Sequence, residues 1–252
     1  MKPPVFPTRT LLDGLRSLRD VLMPRSCPIC GARMHTGEDF CCTACLAALP
    51  YTHFRGERAN PVERLFWGQF PVGRASAWFY YERGNRTTAL IRALKYHRRR
   101  SLGLPLGKAA ANELAGTSFF TDIDAIVPIP LSRKRYRQRG YNVCDDIARG
   151  VSLVTHLPVC RQAVRRTVDN PTQTRQLPFE RKQNVQGIFS VEQPSLVRGR
   201  HLLLVEDVVT TGATVASCAS TLAAAGARCV SVLALAVSGN ITRTPPADND
   251  LY

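Results

Sequence analysis

The stretch LLLVEDVVTTGAT, residues 202–214, joins an apolar run, two adjacent acids and a threonine-rich turn. Four consecutive apolar residues are typical of a strand that is buried on both faces, as in a parallel sheet. Such a strand brings Glu206 and Asp207 to its carboxyl end, which is the edge where open parallel sheets bind ligands. The turn then opens a helix, whose first N–H groups and dipole favour an anion. The sequence therefore predicts a ligand site at this edge.

The order of these pieces indicates the chemistry of the ligand. Phosphate suits the turn from Thr210 to Thr214, because hydroxyls and backbone N–H groups meet there at a helix N-terminus. The acids repel phosphate, so they are suited to accept hydrogen bonds from a diol or to hold Mg²⁺. Phosphate and diol together describe a ribose 5-phosphate. The alternative is a strand that ends in a solvated acidic pair before a capping threonine, but it leaves the order unexplained.

Strand-like and helix-like stretches alternate from about residue 75 onward. This alternation, with strands that are apolar almost throughout, predicts an α/β fold with a parallel sheet and helices on both of its faces. The predicted strands are residues 75–81, 124–128, 188–191, 202–205 and 229–237, and the predicted helices are residues 85–97, 102–114, 143–154 and 212–225.

Five of the nine cysteines fall between residues 27 and 45. Four of them form two Cys-x-x-Cys knuckles that predict a tetrahedral zinc site: Cys27, Cys30, Cys42 and Cys45. Cys41 lies next to Cys42 and could replace it, and His35 is a weaker candidate for a fourth ligand. A segment this small buries little apolar surface, so the metal would contribute folding energy. Incidental thiols or a redox pair are the alternatives, and the redox pair lacks the βαβ context it needs.

The chain is strongly basic, with 34 Lys+Arg against 19 Asp+Glu and a formal net charge of +15. Arginine supplies most of this excess, and its planar fork suits phosphate better than the ammonium of lysine does. A polyanionic partner is one explanation. The other is a GC-rich genome that encodes arginine frequently.

A length of 252 residues accommodates one α/β core and a small module, and 44% hydrophobic residues exclude a mainly disordered chain. The predicted division is an amphipathic helix in residues 1–26, a zinc-binding module in 27–60, the α/β domain in 75–239 and a flexible tail in 240–252. No stretch approaches the ~18 apolar residues that a transmembrane helix needs. We therefore expect a cytoplasmic protein whose cysteines are thiols or metal ligands.

The acidic pair followed by Thr-Gly-x-Thr resembles the fingerprint of the type I phosphoribosyltransferase superfamily. More narrowly, the chain resembles the ComF family, also called the GntX or competence-protein-F type. The resemblance covers nearly the whole chain through motifs in a common order. These are the two knuckles followed by Leu49 and Pro50, LIRALKY at 90–96, VPIPL at 127–131, RGYN at 139–142, Gln173, RKQNVQGIF at 181–189 and the turn at 210–214.

The resemblance implies that the chain binds 5-phosphoribosyl 1-pyrophosphate (PRPP), or a related ribose phosphate, with Mg²⁺. Glu206 and Asp207 would take the ribose hydroxyls, and residues 128–142 would form a loop for the pyrophosphate. Residues 165–184 would form a mobile flap. The remaining implied binding residues are Thr210, Thr211, Gly212, Ala213 and Thr214 around the 5-phosphate, and Arg133, Arg139 and Lys95 near the pyrophosphate.

One departure concerns catalysis. The purine-salvage branch has an aspartate just before the Thr-Gly of the turn, and Thr210 stands there in this chain. The acid–base role of that aspartate therefore has no obvious owner, and whether the protein is an enzyme stays open.

Two functions fit the sequence. The first is a phosphoribosyltransferase-like protein associated with DNA uptake or DNA utilisation, and the second is an active transferase with an unidentified nitrogen nucleophile and no DNA role. The net charge, the knuckles and the arginine run at 98–100 beside Tyr96 favour single-stranded DNA as a partner, together with the aromatic residues between 66 and 80. The alternatives are core packing for the aromatic residues and a solvated helix end for the arginine run.

Overall fold

The computed structural model describes residues 25–96, 100–168 and 187–243. Its contacts divide the chain into two units, Met1–Leu49 and Pro50–Tyr252. The predicted N-terminal helix, Arg98, Arg99 and most of the predicted flap lie outside the described residues. The described part contains no helix that is long and apolar enough to span a membrane. The cytoplasmic location stays a prediction.

The strands of the described residues form two sheets in the larger unit. Four strands make a parallel sheet in the order β1-β6-β5-β2, and the other two pair antiparallel. The strands are β1 (Val72–Tyr81), β2 (Ala125–Pro128), β3 (Val164–Arg166), β4 (Phe189–Val191), β5 (His201–Val209) and β6 (Cys229–Ser238).

Along the chain, most helices of the described residues alternate with the strands of the larger unit. They are α1 (Thr43–Ala47) in the smaller unit, and α2 (Pro61–Arg64), α3 (Arg86–Tyr96), α4 (Gly103–Ala115), α5 (Arg133–Arg139), α6 (Val143–Thr155), α7 (Ala213–Ala224) and α8 (Asn240–Arg243) in the larger one.

The parallel sheet is buried on both faces, as the apolar strands predict. Leu202 and Leu204 of β5 belong to a core shared with α7 and with the β3–β4 pair. The opposite face is covered by α4 and α6, which contact β5 and β6. The prediction of an α/β fold with a parallel sheet and helices on both faces is therefore confirmed.

Helices α4 and α6 approach each other closely at two glycines. A Cβ atom at Gly107 would overlap the carbonyl of Ile147, and one at Gly150 would overlap the carbonyl of Leu104. The backbones can meet only because neither position carries a side chain. This contact holds α6 against the sheet and thereby positions the start of α6 near the end of β2.

Two sequence predictions about elements are wrong. The strand at 188–191 does not join the parallel sheet, because β4 pairs with β3 in antiparallel register, Val164 opposite Val191. Residues 128–142 are not all loop, because α5 runs through them. Ser132 accepts a hydrogen bond from the Arg135 N–H at 3.3 Å, and Gly140 ends the helix with φ of +80°. Both are recognised helix boundary signals.

Residues 50–60 pack with the larger unit. The Thr52 N–H donates to the Trp78 carbonyl at 3.0 Å, and the Tyr80 N–H donates to the Pro50 carbonyl at 2.7 Å. The side chain of Asn60 donates to the Ala75 carbonyl at 2.7 Å. Because these bonds extend the edge of β1, the boundary drawn by contacts falls after Leu49, whereas the sequence suggested residue 60. At the other end, α8 occupies the first residues of the expected tail.

Candidate functional site

The predicted ligand turn lies between β5 and α7. Strand β5 continues to Val209, so Glu206 and Asp207 lie within its carboxyl-terminal half. The turn and the first residues of α7 line an open pocket of about 210 Å³ together with Glu206; these residues are Val208, Val209, Thr210, Thr211, Gly212, Ala213, Thr214 and Val215. The structure thus brings the acids and the threonine turn to one edge of the sheet.

Gly212 is the residue that allows this turn. Its φ is +76°, a region that favours glycine. A Cβ atom there would also lie 2.7 Å from Leu65 Cδ2 and 2.9 Å from Phe66 Cε1. Helix α7 begins directly after it, and the first turn of α7 contains no acidic residue. The N-terminus of α7 therefore presents its dipole and N–H groups to the pocket, and no acidic side chain of its own first turn competes for them.

Lys95, at the end of α3, contacts the acidic pair. Its Nζ lies 2.8 Å from Asp207 Oδ1, and the two side chains are 22% and 10% exposed. Burial disfavours the charged ammonium and lowers the pKa of Lys95. The Asp207 carboxylate favours the charged form more strongly, so the net effect is a raised pKa of Lys95. Lys95 therefore stays charged beside Asp207.

Glu206 has different neighbours from Asp207. Its Oε1 accepts a hydrogen bond from the Asp207 N–H at 3.0 Å and lies 3.5 Å from the Cys144 Sγ. Burial and the like charge of Asp207 raise the pKa of Glu206 to about 7. Burial also raises the pKa of Cys144 well above its usual value, so the thiol donates to the carboxylate. Glu206 is therefore partly protonated near neutral pH.

Cys144 is a site residue that the sequence did not single out. It lies outside the cysteine cluster at 27–45 and follows the RGYN motif by two residues. That motif has a structural role. The Tyr141 hydroxyl donates to the Leu94 carbonyl, and the Asn142 side chain donates to the Ile129 carbonyl at 3.0 Å and caps α6 through the Cys144 N–H at 3.3 Å. The motif thereby fixes α3, the end of β2 and Cys144 around the acids.

The two predicted arginines, Arg133 and Arg139, lie on α5. Strand β2 leads into α5 from the same sheet edge as β5, because the two strands are parallel. The Arg139 guanidinium lies 5.4 Å from the centre of the Tyr96 ring. Among the described contacts, Lys95 reaches an acid of the site, whereas Arg133 and Arg139 do not.

The first two residues of the predicted flap lie in a strand. Arg165 and Arg166 are part of β3 and pair with β4. Arg165 also bonds Ser190 Oγ at 3.3 Å and lies 3.6 Å from Glu192. Residues 165 and 166 of the predicted flap therefore belong to a strand, most of its other residues lie outside the described residues, and the flap stays a prediction.

The smaller unit brings together the four cysteines of the predicted zinc site. The Sγ atoms of Cys27, Cys30, Cys42 and Cys45 all lie within 4.8 Å of one another. The Sγ atoms of Cys30 and Cys42 are 3.7 Å apart. Two sulfur ligands of a tetrahedral zinc ion with Zn–S bonds of about 2.3 Å would lie about 3.8 Å apart. The group includes Cys42 but neither Cys41 nor His35. The sulfur positions therefore fit a tetrahedral metal.

Comparison with known protein families agrees with this site. Residues 101–251 match the model of the phosphoribosyl transferase domain. These residues include the acids, the turn and α5, and they make up more than half of the chain. The protein therefore belongs to the phosphoribosyl transferase domain family.

Relatives narrow the classification within that family. The chain is 36% identical over 149 residues to DNA utilization protein YhgH of Escherichia coli (strain K12), covering 58% of this chain and 65% of that protein. It is 32% identical over 114 residues to competence protein F of Haemophilus influenzae, covering 45% and 50%. With competence protein ComFC of Bacillus subtilis, it shares 33% identity over 89 residues, covering 35% and 34%. The predicted ComF type is confirmed, and the match spans less than two thirds of each relative.

Proposed function

We propose that this protein is a phosphoribosyltransferase-like component of DNA uptake or DNA utilisation that binds PRPP, or a related ribose phosphate, with Mg²⁺. One observation carries the proposal: Glu206, the turn after β5 and the N-terminus of α7 line one pocket, and Asp207 follows Glu206 in the same strand. The names of the relatives support the link to DNA. The pocket combines an anion site with the Glu206 carboxylate, and Asp207 is the next residue of β5; an anion site beside carboxylates is the pattern a phosphorylated diol requires.

Each part of the ligand has a partner of suitable chemistry. The 5-phosphate would lie on the turn of Thr210, Thr211 and Gly212, and the ribose hydroxyls would donate to the acids. Lys95, Arg133 and Arg139 would face the pyrophosphate. The carboxylate oxygens of the two acids are the hard ligands that Mg²⁺ prefers. When bound, Mg²⁺ neutralises charge on a leaving pyrophosphate.

A titration tests this binding. We expect PRPP with Mg²⁺ to bind the wild-type protein and to bind Asp207→Asn at least about tenfold more weakly, a difference of about 1.4 kcal/mol. Glu57→Gln is the matched control, because Glu57 is an exposed carboxylate of the same unit. Equal affinity of wild type and Asp207→Asn would show that the acids do not form the ribose site.

Active transfer to a nitrogen nucleophile is the second candidate function. Glu206 favours it, because a carboxyl group with a pKa of about 7 in the pocket can exchange protons at neutral pH. Thr210 cannot take that role. Pyrophosphate release measured against a panel of bases and amines tests this candidate. Release that depends on one acceptor supports an enzyme, and release no faster than without protein excludes it for that panel.

Some of the residues that the sequence suggested for DNA binding are paired or buried, and other exposed residues are better candidates. Arg100 pairs with Asp146 at 2.7 Å, so it is not a free cation. Three aromatic residues of the 66–80 segment are core residues: Phe66, Phe70 and Phe79. Trp67, Tyr96 and Tyr136 are exposed, and arginines lie over the rings of Trp67 and Tyr96. We propose these exposed rings as the stacking positions for single-stranded DNA.

A further inference from the structure

Both acids of the site already have partners within the protein. Asp207 contacts the Lys95 ammonium, and Glu206 contacts the Cys144 thiol and the Asp207 N–H. An open Mg²⁺ site instead presents carboxylate oxygens to water, which the metal can replace. Here a free divalent ion must compete with a cation that the fold places beside Asp207.

The charges at the site also disfavour a free metal. The Lys95 ammonium lies 2.8 Å from the Asp207 carboxylate and offsets one negative charge of the acidic pair. The three side chains together therefore carry at most one net negative charge, whereas two carboxylates without Lys95 would carry up to two. Electrostatic attraction for a divalent cation falls accordingly.

We propose that Lys95 occupies the cation position of the acidic pair, so that the site excludes free divalent metal and accepts Mg²⁺ only together with an anionic ribose diphosphate. The proposal rests on the ligand class of the proposed function and adds a specificity role for Lys95. The Lys95 ammonium, 2.8 Å from Asp207 Oδ1, is then a counter-ion that the ligand displaces.

A diphosphate can displace Lys95 where a metal ion cannot. Its negative charge attracts the ammonium, and the flexible stem of lysine lets Nζ move to phosphate oxygens. That movement exposes Asp207 to the ribose hydroxyls. A free metal ion repels the ammonium and offers it no new partner. The exchange therefore couples metal entry to the diphosphate.

The surroundings of Lys95 favour such an exchange. Its position on the last turn of α3 is fixed by the bond from the Tyr141 hydroxyl to the Leu94 carbonyl. Its side chain is 22% exposed, so it is not fully enclosed by the protein. The backbone is thus held while the end of the side chain can reorient.

Binding of Mn²⁺ to the zinc-loaded full chain, followed by electron paramagnetic resonance, tests the proposal without any activity measurement. We expect no saturable Mn²⁺ binding to wild type below about 1 mM. Lys95→Met should bind Mn²⁺ at least about fivefold more tightly and should bind PRPP with Mg²⁺ at least about tenfold more weakly. A residue with only a structural role would weaken both.

Three further variants complete the experiment. Lys95→Arg keeps the charge and should exclude Mn²⁺ as wild type does, and Lys108→Met, on the exposed side of α4, should also match wild type. Adding Asp207→Asn to Lys95→Met should remove the gained Mn²⁺ binding. The proposal is overturned if wild type binds Mn²⁺ tightly, if folded Lys95→Met gains no affinity, or if the gain survives Asp207→Asn. If PRPP binds no variant, the proposed function fails, while a gain in Mn²⁺ affinity still supports metal exclusion by Lys95.

Discussion

Glu206 and Asp207 are neighbours in sequence, but their side chains contact different partners. Lys95 keeps Asp207 paired with a cation, while burial raises the pKa of Glu206 to about 7. The sequence shows two equivalent acids, because it does not show which side chain each one meets. The positions of both acids were predictable from the apolar run before them. Their difference depends on Lys95 and Cys144, which are 112 and 62 residues away from Asp207 and Glu206.

A substitution at Gly212 tests the role of a single residue in the turn. We expect Gly212→Ala to lower the free energy of unfolding by about 2–4 kcal/mol, since it adds strain at positive φ to overlap with Leu65 and Phe66. Urea unfolding with a PRPP titration measures the effect. Gly84→Ala is the matched control, because Gly84 has φ of +80° and open space around it. We expect Gly84→Ala to lower the free energy of unfolding by no more than about 1 kcal/mol. Equal losses in the two variants would contradict a packing role for Gly212.

Most elements were predicted from periodicity, and the exceptions have identifiable reasons. The strands at 229–237 and 202–205 and the helices at 85–97, 102–114, 143–154 and 212–225 all correspond to observed elements. Helix α5 was missed because the row of arginines was interpreted as a ligand loop, although Ser132 and Gly140 mark its ends. Strand β4 was assigned to the wrong sheet, because three apolar-rich residues carry no information about their partner.

The contact between α4 and α6 gives a prediction at the scale of elements. Gly107→Ala should lower the free energy of unfolding by at least about 2 kcal/mol, because its Cβ overlaps backbone atoms of Ile147 and forces the helices apart. Gly116→Ala, at the end of α4, is the control, since a Cβ there meets nothing within 4 Å and φ is −80°. Denaturant unfolding followed by far-ultraviolet circular dichroism measures both. A Gly107→Ala protein as stable as the Gly116→Ala protein would rule out the close approach.

At the scale of the whole molecule, the chain consists of a small cysteine-rich unit and a larger α/β unit. The small unit contains one short helix within its described residues and gathers four sulfur atoms. We expect a unit of this size to need a bound metal for its fold. The larger unit has an extensive apolar core. Most of the basic excess lies in the larger unit, and part of it is used in ion pairs such as Arg100 with Asp146.

The two adjacent cysteines test the metal site. We expect purified wild type to contain about one equivalent of zinc, and Cys42→Ser to lose most of it, because Cys42 belongs to the group of four. Cys41→Ser is the matched control and should keep its zinc. Elemental analysis after gel filtration measures both proteins. Retention of zinc by Cys42→Ser would refute the assignment, and loss by Cys41→Ser alone would transfer the ligand role to Cys41.

The sequence by itself determined the sheet-forming segments, the glycine turn after the acids and the four-cysteine pattern. These features are local, because periodicity, turn chemistry and ligand spacing act over a few residues. Only the tertiary structure decided that Lys95 pairs with Asp207, that Cys144 contacts Glu206 and that Cys42 joins the sulfur group. Those contacts join side chains from separate elements. Their distances depend on the packing of α3 and α6 against the sheet, which no local pattern encodes.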